Sequence, residues 1–455
     1  MKKPSLLLLC ATAALLTAPR SQAFCGFYAG RADSDLFNTA SKVIMVRDGP
    51  RTVISMMNDY SGDPSEFALV VPVPQVLGRD QIHVGDRAIF DRLDAFSAPR
   101  LAEYYDEDPC ERRRFRADRI MELREAPAAL AAPAARRALG VQVEAAYTVG
   151  EYDIVILSAR QSEGLETWLR ETGYRIPAGA SRALRPYVRQ GMRFFVARVN
   201  LKEHARTGTQ TLRPLQFAFD SEKFMLPIRL GMVNARGPQD LIAFFLTRRG
   251  RVETTNYRTV EMPTDAELPL SVRGEFGSVY RAVFDEQARR EKHRVVFTEF
   301  FWDAGSCDPC AAEPPTPEEL RRAGVFWFDA PEDDLRARAS PRLRPPMQAW
   351  AGTAVMLTRL HVRYTPETFP EDLVFQETGD RRPFQVRHVL RHPFPVQRNA
   401  CPEAAAYLAE VRSREQRQAM ALASLTGWPY RDALSPTPSS GGAPRAGSWW
   451  SRLWN

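Results

Sequence analysis

Leu215-Gln216-Phe217-Ala218-Phe219 places Leu215, Phe217 and Phe219 on one side of an extended chain and Gln216 and Ala218 on the other. That period of two marks a strand with one apolar face. Similar runs occur at 192–199, 224–232 and 241–246. Their short, mostly polar connections fit antiparallel pairing better than helical crossovers. Upstream, the runs 42–47 and 52–59 flank Asp48-Gly49-Pro50-Arg51, where Asp-Gly supplies the positive φ of a hairpin turn. The run 67–71 continues into Pro72-Val73-Pro74, where the missing amide hydrogen is expected to take the chain off the ladder. A second hairpin is expected from 141–149 and 152–158, turning at Gly150-Glu151.

Helical spacing enters between these strands. Asp86 can cap a helix with Ile89, Phe90, Leu93 and Phe96 on one face. Leu165, Trp168 and Leu169 mark another that Gly173 ends, and Leu184, Tyr187 and Val188 a third that Gly191 stops. Val272, Phe276, Val279, Tyr280, Val283 and Phe284 recur at helical intervals before an apolar strand over 295–302. Thr316-Pro317-Glu318-Glu319 is a capping box with proline at the first helical position, closed by Gly324. In the strand 353–364, Leu360, Val362 and Tyr364 alternate with Arg359, His361 and Arg363, which predicts one buried and one solvated face. A strand over 384–390 and a helix over 402–425 follow.

The fold class read from this pattern is α+β, with mostly antiparallel sheet, several packed helices and two closely associated lobes. The first lobe is expected over 24–268 with an Ala/Pro-rich connector at 111–140, and the second over 269–430 with the CxxC. Residues 431–455 are rich in Ser, Pro and Gly and are expected to form a disordered tail.

The first residues point to export. Lys2 and Lys3 precede an apolar run over 6–16, and Ser21-Gln22-Ala23 has the small residues that signal peptidase needs, so the mature chain is expected to start at Phe24. The apolar run is too short to span a bilayer, and no transmembrane anchor is expected after cleavage. Loss of Lys2, Lys3 and Arg20 lowers the formal charge of +7 by three. The remaining excess is weak evidence for a polyanion partner. Arginines are spread along the chain without a nucleic-acid motif, so no nucleic acid is expected, and the partner class is an unknown ligand or envelope component.

An oxidising compartment makes Cys25, Cys110, Cys307, Cys310 and Cys401 disulfide candidates, with an odd count that leaves one over. A bridge from Cys25 to Cys110 would contribute roughly 4.6 kcal/mol in the loop-entropy picture, against roughly 2 for Cys307 to Cys310. The preferred framework is Cys25 to Cys110 plus one bridge drawn from Cys307, Cys310 and Cys401. Cys307-Asp308-Pro309-Cys310 could also be a redox centre, yet Pro314 and Pro315 interrupt the helix that would lower a thiolate pKa. No spacing supports zinc, and no cofactor is expected.

His361 and His388 are the best-placed histidines, each in an expected strand beside arginines, with Arg359 and Arg363 flanking the first. Glu367, Glu371 and Asp372 follow His361, so paired strands could gather an acid, a base and a positive clamp. A solvated strand face with cross-strand ion pairs is the preferred reading. No GxSxG, phosphate-loop or HExxH motif occurs.

Phe24-Cys-Gly-Phe-Tyr, Phe67-Ala-Leu-Val-Val-Pro-Val-Pro, Tyr152-Asp-Ile-Val-Ile-Leu with Trp168-Leu and Gly173-Tyr, Cys307-Asp-Pro-Cys and Thr358-Arg-Leu-His-Val-Arg-Tyr together resemble the bacterial family catalogued as domain of unknown function 2330. The resemblance implies export and a common fold and transfers no site residue. The expected function is a non-catalytic envelope binding or structural protein, periplasmic or secreted. The alternative is an extracytoplasmic enzyme, either a thiol-disulfide oxidoreductase at the CxxC or a hydrolase using the His361 region.

Overall fold

The structure is a computed structural model that describes residues 27–30, 37–61, 67–111, 142–159, 162–171, 179–207, 212–235, 237–306, 312–329 and 355–434. The expected leader, Cys25, the CxxC and most of the connector and tail lie outside these residues.

Strand Leu215–Asp220 runs antiparallel to Arg51–Ser61, with Phe217 opposite Ile54, and to Ile82–Val84 on its other side. Arg51–Ser61 and Phe37–Asp48 form the expected hairpin, and Gly49 has φ +58°. Beyond them lie Gln239–Thr247, Met356–Tyr364, Val295–Asp303 and Arg258–Glu261, and Phe384–Gln385, paired to Val295–Asp303, is the ninth strand of this sheet. A five-stranded antiparallel sheet holds, in order, Phe27–Gly30, Phe67–Val73, Arg193–Val199, Tyr152–Ser158 and Gln142–Val149.

The two sheets face one another across a shared core. Val43, Met45, Phe217 and Phe245 come from the larger sheet, and Val71, Ile154, Ile156 and Phe195 from the smaller. Each such side chain contributes about 1.5–3 kcal/mol on burial, so this interface is the main stabilising layer of the fold. Helices Ser162–Glu171 and Ala180–Arg189 cover the outer face of the small sheet through Leu165, Leu169, Leu184 and Tyr187. On the outer face of the large sheet, Arg87–Ser97 and Pro317–Ala323 cover one apolar cluster, and Phe276–Arg290 with Ala404–Thr426 cover another. The layers are therefore helix, sheet, sheet, helix, an α+β arrangement.

Local signals explain several boundaries. Asp86 accepts from the Ala88 amide, and Thr316 and Glu319 exchange hydrogen bonds as a capping box. Gly324 has φ +104°, and a Cβ there would lie 2.7 Å from the Val53 Cγ1, so glycine also permits the helix end to approach the sheet.

Other expectations need correction. The strand 67–71 extends through Pro72 to Val73, opposite Phe194 and Arg193. Among the described residues, its second neighbour pairs with 67–70 and stops short of Pro72. Residues 224–232 form only the strand Met225–Leu226 and then a 3-10 turn at Gly231–Asn234. Parallel pairing is also more prominent than expected: Gln239–Thr247 lies parallel to Phe37–Asp48, and Arg258–Glu261 to Val295–Asp303. The unbroken apolar run 241–246 reflects burial on both faces of a central strand.

The boundary expected near 268 falls among elements that one sheet joins, since Gln239–Thr247 pairs with Met356–Tyr364. Helix Tyr430–Leu434 extends into the stretch read as tail and buries Ala433.

Candidate functional site

Strand Met356–Tyr364 carries Arg359, His361 and Arg363 on one face, but that face is not solvated. Arg359 is 2% exposed and His361 5%. They occupy a polar seam between the two apolar clusters on the helix-covered side of the large sheet. Arg359 Nε donates to Glu299 at 2.6 Å, and its NH1 group donates to Asp94. Lys42 Nζ donates to the other Asp94 oxygen at 2.7 Å. Tyr280 donates to Glu299 at 2.6 Å, and His361 Nδ1 lies 2.8 Å from the same oxygen. Arg363 closes a fork on Asp240 at 2.7 and 2.8 Å and also reaches Asp285.

A β-bulge places Glu299 in this seam. Phe297 pairs with His361 and Phe300 with Arg359, so the register shifts between Thr298 and Phe300. The extra residue re-aims its carboxylate toward Arg359 and the His361 ring, the usual consequence of a bulge. Burial alone would raise the Glu299 pKa; His361, Arg359 and the Tyr280 hydrogen bond outweigh it and bring the value down to about 2. Burial opposes ionisation of Asp94 as well, and Arg359 and Lys42 hold it below the usual carboxylate range. Burial, reinforced by Arg359, pulls Lys42 down.

The acids expected to serve His361 are engaged elsewhere. Asp372 accepts from Tyr187 and from the Arg229 guanidinium, each at 2.6 Å, and the Glu371 carboxylate accepts from Asn256 at 3.3 Å. His361 instead stacks on Phe284, with ring centroids 3.8 Å apart. The residues that complete its surroundings, Lys42, Asp94, Glu299 and Asp240, had readable signals. Glu299 interrupts the apolar run 295–302, and Asp94 is one turn after Phe90 on an apolar helical face.

His388 does not join this group. It packs against Phe276, eight residues before Phe284 on the same helix, a rise of about 12 Å. Its side chain is fully buried, and among the described residues neither ring nitrogen has a hydrogen-bond partner. Burial pushes its pKa to about 4 despite the opposing Asp265 charge. The unfolded chain therefore binds more protons between about pH 6.5 and 4, so stability is present above that window and is lost as pH falls through it. The loss expected from this residue is on the order of 3 kcal/mol. Urea unfolding at pH 7 and 4.5 should show it in the wild type and show much less in His388→Phe; equal losses would contradict the assignment.

A second arrangement opens between the sheets. A cavity of 240 Å³ is lined by Ile54, Met56, Val71, Met192, Phe217 and Phe219, with Met225 also on its wall. Pro72, Pro74 and Pro227 add rigid apolar surface, while Ser221, Glu222, Lys223 and Gln190 supply its polar contribution. Lys223 Nζ donates to Gln190 at 2.8 Å. The cavity enters the same inter-sheet core that contains Phe217 and Phe219. Methionine side chains can adapt to ligands of differing shape, and the space exceeds the ~150 Å³ that accommodates benzene in an engineered apolar core.

The disulfide framework also differs from expectation. Cys110 pairs with Cys401, Cα–Cα 5.7 Å, replacing the Cys25 to Cys110 bridge. Parallel pairing of Arg100–Tyr105 with Arg387–His392 brings the two following segments together. Loop entropy rises only logarithmically with length, so it could not discriminate strongly against this longer connection. Cys25, Cys307 and Cys310 lie outside the described residues. Among the described residues, no group of three His, Cys, Asp or Glu side chains forms a candidate metal site.

A family model described as "Uncharacterized protein conserved in bacteria (DUF2330)" matches residues 19–376. No curated protein and no solved structure matches the chain.

Proposed function

The chain belongs to the DUF2330 family, and on that premise we propose that it is an exported, non-catalytic envelope binding protein that holds a small apolar ligand between its two large sheets. The observation that carries this reading is the 240 Å³ cavity entering the inter-sheet core. Its walls offer adaptable and rigid apolar groups around a small number of polar contacts, the usual composition of a small-molecule site. The leader read from residues 1–23 supports export, and the Cys110–Cys401 bridge is compatible with it. Among the described residues, no helix is long and apolar enough to cross a membrane.

Binding is favoured over hydrolysis because His361 is stacked on Phe284 and its Nδ1 is held 2.8 Å from Glu299 in a buried seam. Burying about 200 Å² of apolar ligand surface would contribute roughly 5 kcal/mol, corresponding to a Kd of about 0.2 mM before ordering costs. Titration with N-phenyl-1-naphthylamine should give saturable fluorescence enhancement. Met225→Trp, which adds bulk to the wall, should reduce the signal severalfold with an unchanged melting temperature. Equal binding by both proteins, or no saturable binding by the wild type, would contradict the proposal.

A further inference from the structure

Ser221, Glu222 and Lys223 meet the apolar lining of the inter-sheet cavity, and the exposure of Glu222 and Lys223 marks this loop as its mouth. The loop is tied down on both sides. Ser221 N donates to the Pro50 carbonyl at 2.9 Å, and the Lys223 amide donates to Ser221 Oγ at 3.1 Å. Lys223 is thereby held at the entrance, where its ammonium group donates to Gln190 and retains further N–H donors for a ligand.

Arg47 adds a second positive charge behind the loop. On strand Phe37–Asp48 it continues the face of Val43 and Met45, which packs into the inter-sheet core. Its guanidinium donates to Thr52 Oγ1 at 2.7 Å and to the Ser221 carbonyl at 3.0 Å, and lies 4.9 Å from the centre of the Phe224 ring. Its other acceptors are the Pro50 and Glu222 backbone carbonyls, so every partner is neutral. Among the described residues, no carboxylate comes within ion-pair distance of Arg47, whereas the buried Arg359 is paired with Asp94 and Glu299, and Arg251 with Glu253 and Glu261. Buried charges are normally paired. Burial lowers the Arg47 pKa, and Glu222 and Glu377 oppose that only through space. Glu222 is the acid on the cavity lining, so the two cations outnumber it.

We propose that the ligand of the inter-sheet cavity is a medium-chain monocarboxylate, with its chain between the sheets and its carboxylate at Lys223 in the field of Arg47. This inference rests on the inter-sheet binding reading and assigns the ligand's polar end. Benzene in a cavity of ~150 Å³ occupies about 25 Å³ per carbon, so the 240 Å³ here accepts a chain of about nine carbons. A single negative charge suits the mouth, because a dianionic head would meet Glu222 as well as Lys223.

The test is displacement of N-phenyl-1-naphthylamine from the disulfide-intact chain at pH 7 by octanoate, octan-1-ol and octyl phosphate. Octanoate should compete about fivefold more tightly than octan-1-ol at low salt, with the preference shrinking as salt rises. Lys223→Met should bring octanoate to the level of octan-1-ol, Lys223→Arg should keep most of the preference, and Glu222→Gln should widen it. Circular dichroism melting checks that each variant is folded. Equal competition by octan-1-ol, tighter competition by octyl phosphate, or an octanoate preference that survives Lys223→Met in a folded protein would overturn the carboxylate assignment and leave the cavity as the dye's site. Absence of saturable dye binding would instead overturn the inter-sheet reading, and this inference with it.

Discussion

Arg359→Met is expected to lower unfolding free energy by about 3–5 kcal/mol at pH 7. Arg359 is the cation shared by Asp94 and Glu299, and all three side chains are at most 3% exposed. Removal leaves charges in a medium that resists solvating them, and that penalty exceeds the modest value of a surface ion pair. Arg359→Lys should lose less, but one ammonium cannot reproduce the guanidinium's fixed fork. Adding Glu299→Gln to Arg359→Met should recover part of the loss by removing one unpaired charge. Urea unfolding of the single and double variants checks this ordering. A change below 1 kcal/mol for Arg359→Met would contradict a structural role for the seam.

The acid response has a defined direction. Asp94 and Glu299 are held below their ordinary carboxylate values, so their stabilisation is present above roughly pH 4–4.5 and is lost as pH falls toward their folded values. Removing Arg359 should move this loss toward higher pH. His388 contributes in the separate, less acidic window, which makes the two effects distinguishable.

Cys110→Ser or Cys401→Ser is expected to cost about 2–5 kcal/mol under oxidising conditions. The bridge joins residues separated by 291 positions, and nearby Asp106 accepts hydrogen bonds from Tyr407 and Arg414. Because both substitutions remove the same covalent link, the double variant should be no less stable than the weaker single variant. Urea unfolding with non-reducing peptide mapping checks the energy and the connectivity. A silent Cys401→Ser substitution, or a Cys25–Cys110 peptide, would contradict the observed pairing.

Local chemistry made much of the fold legible. Asp48-Gly49, the Thr316 capping box and the alternation at Leu215–Phe219 correspond to the turn, helix start and strand they predict. Arg359, His361 and Arg363 also share the expected strand face. Their periodicity carries no information about the helices above it, so the sequence predicts a solvated face where the structure has a buried ionic seam. Glu299 depends on a bulge, Asp94 comes from another element, and Cys401 reaches Cys110 through non-local parallel pairing. Likewise, residues from several distant strands form the inter-sheet cavity, so no compact sequence motif announces it.

The most direct test of the proposed binding role labels the methyl groups of the chain's 12 methionines with ¹³C and follows them by NMR during titration with N-phenyl-1-naphthylamine. Met56, Met192 and Met225 line the inter-sheet cavity and should shift together and saturably, with intermolecular NOEs to the probe. Saturable binding whose NOEs arise only from methionines elsewhere, or absence of binding, would contradict that role.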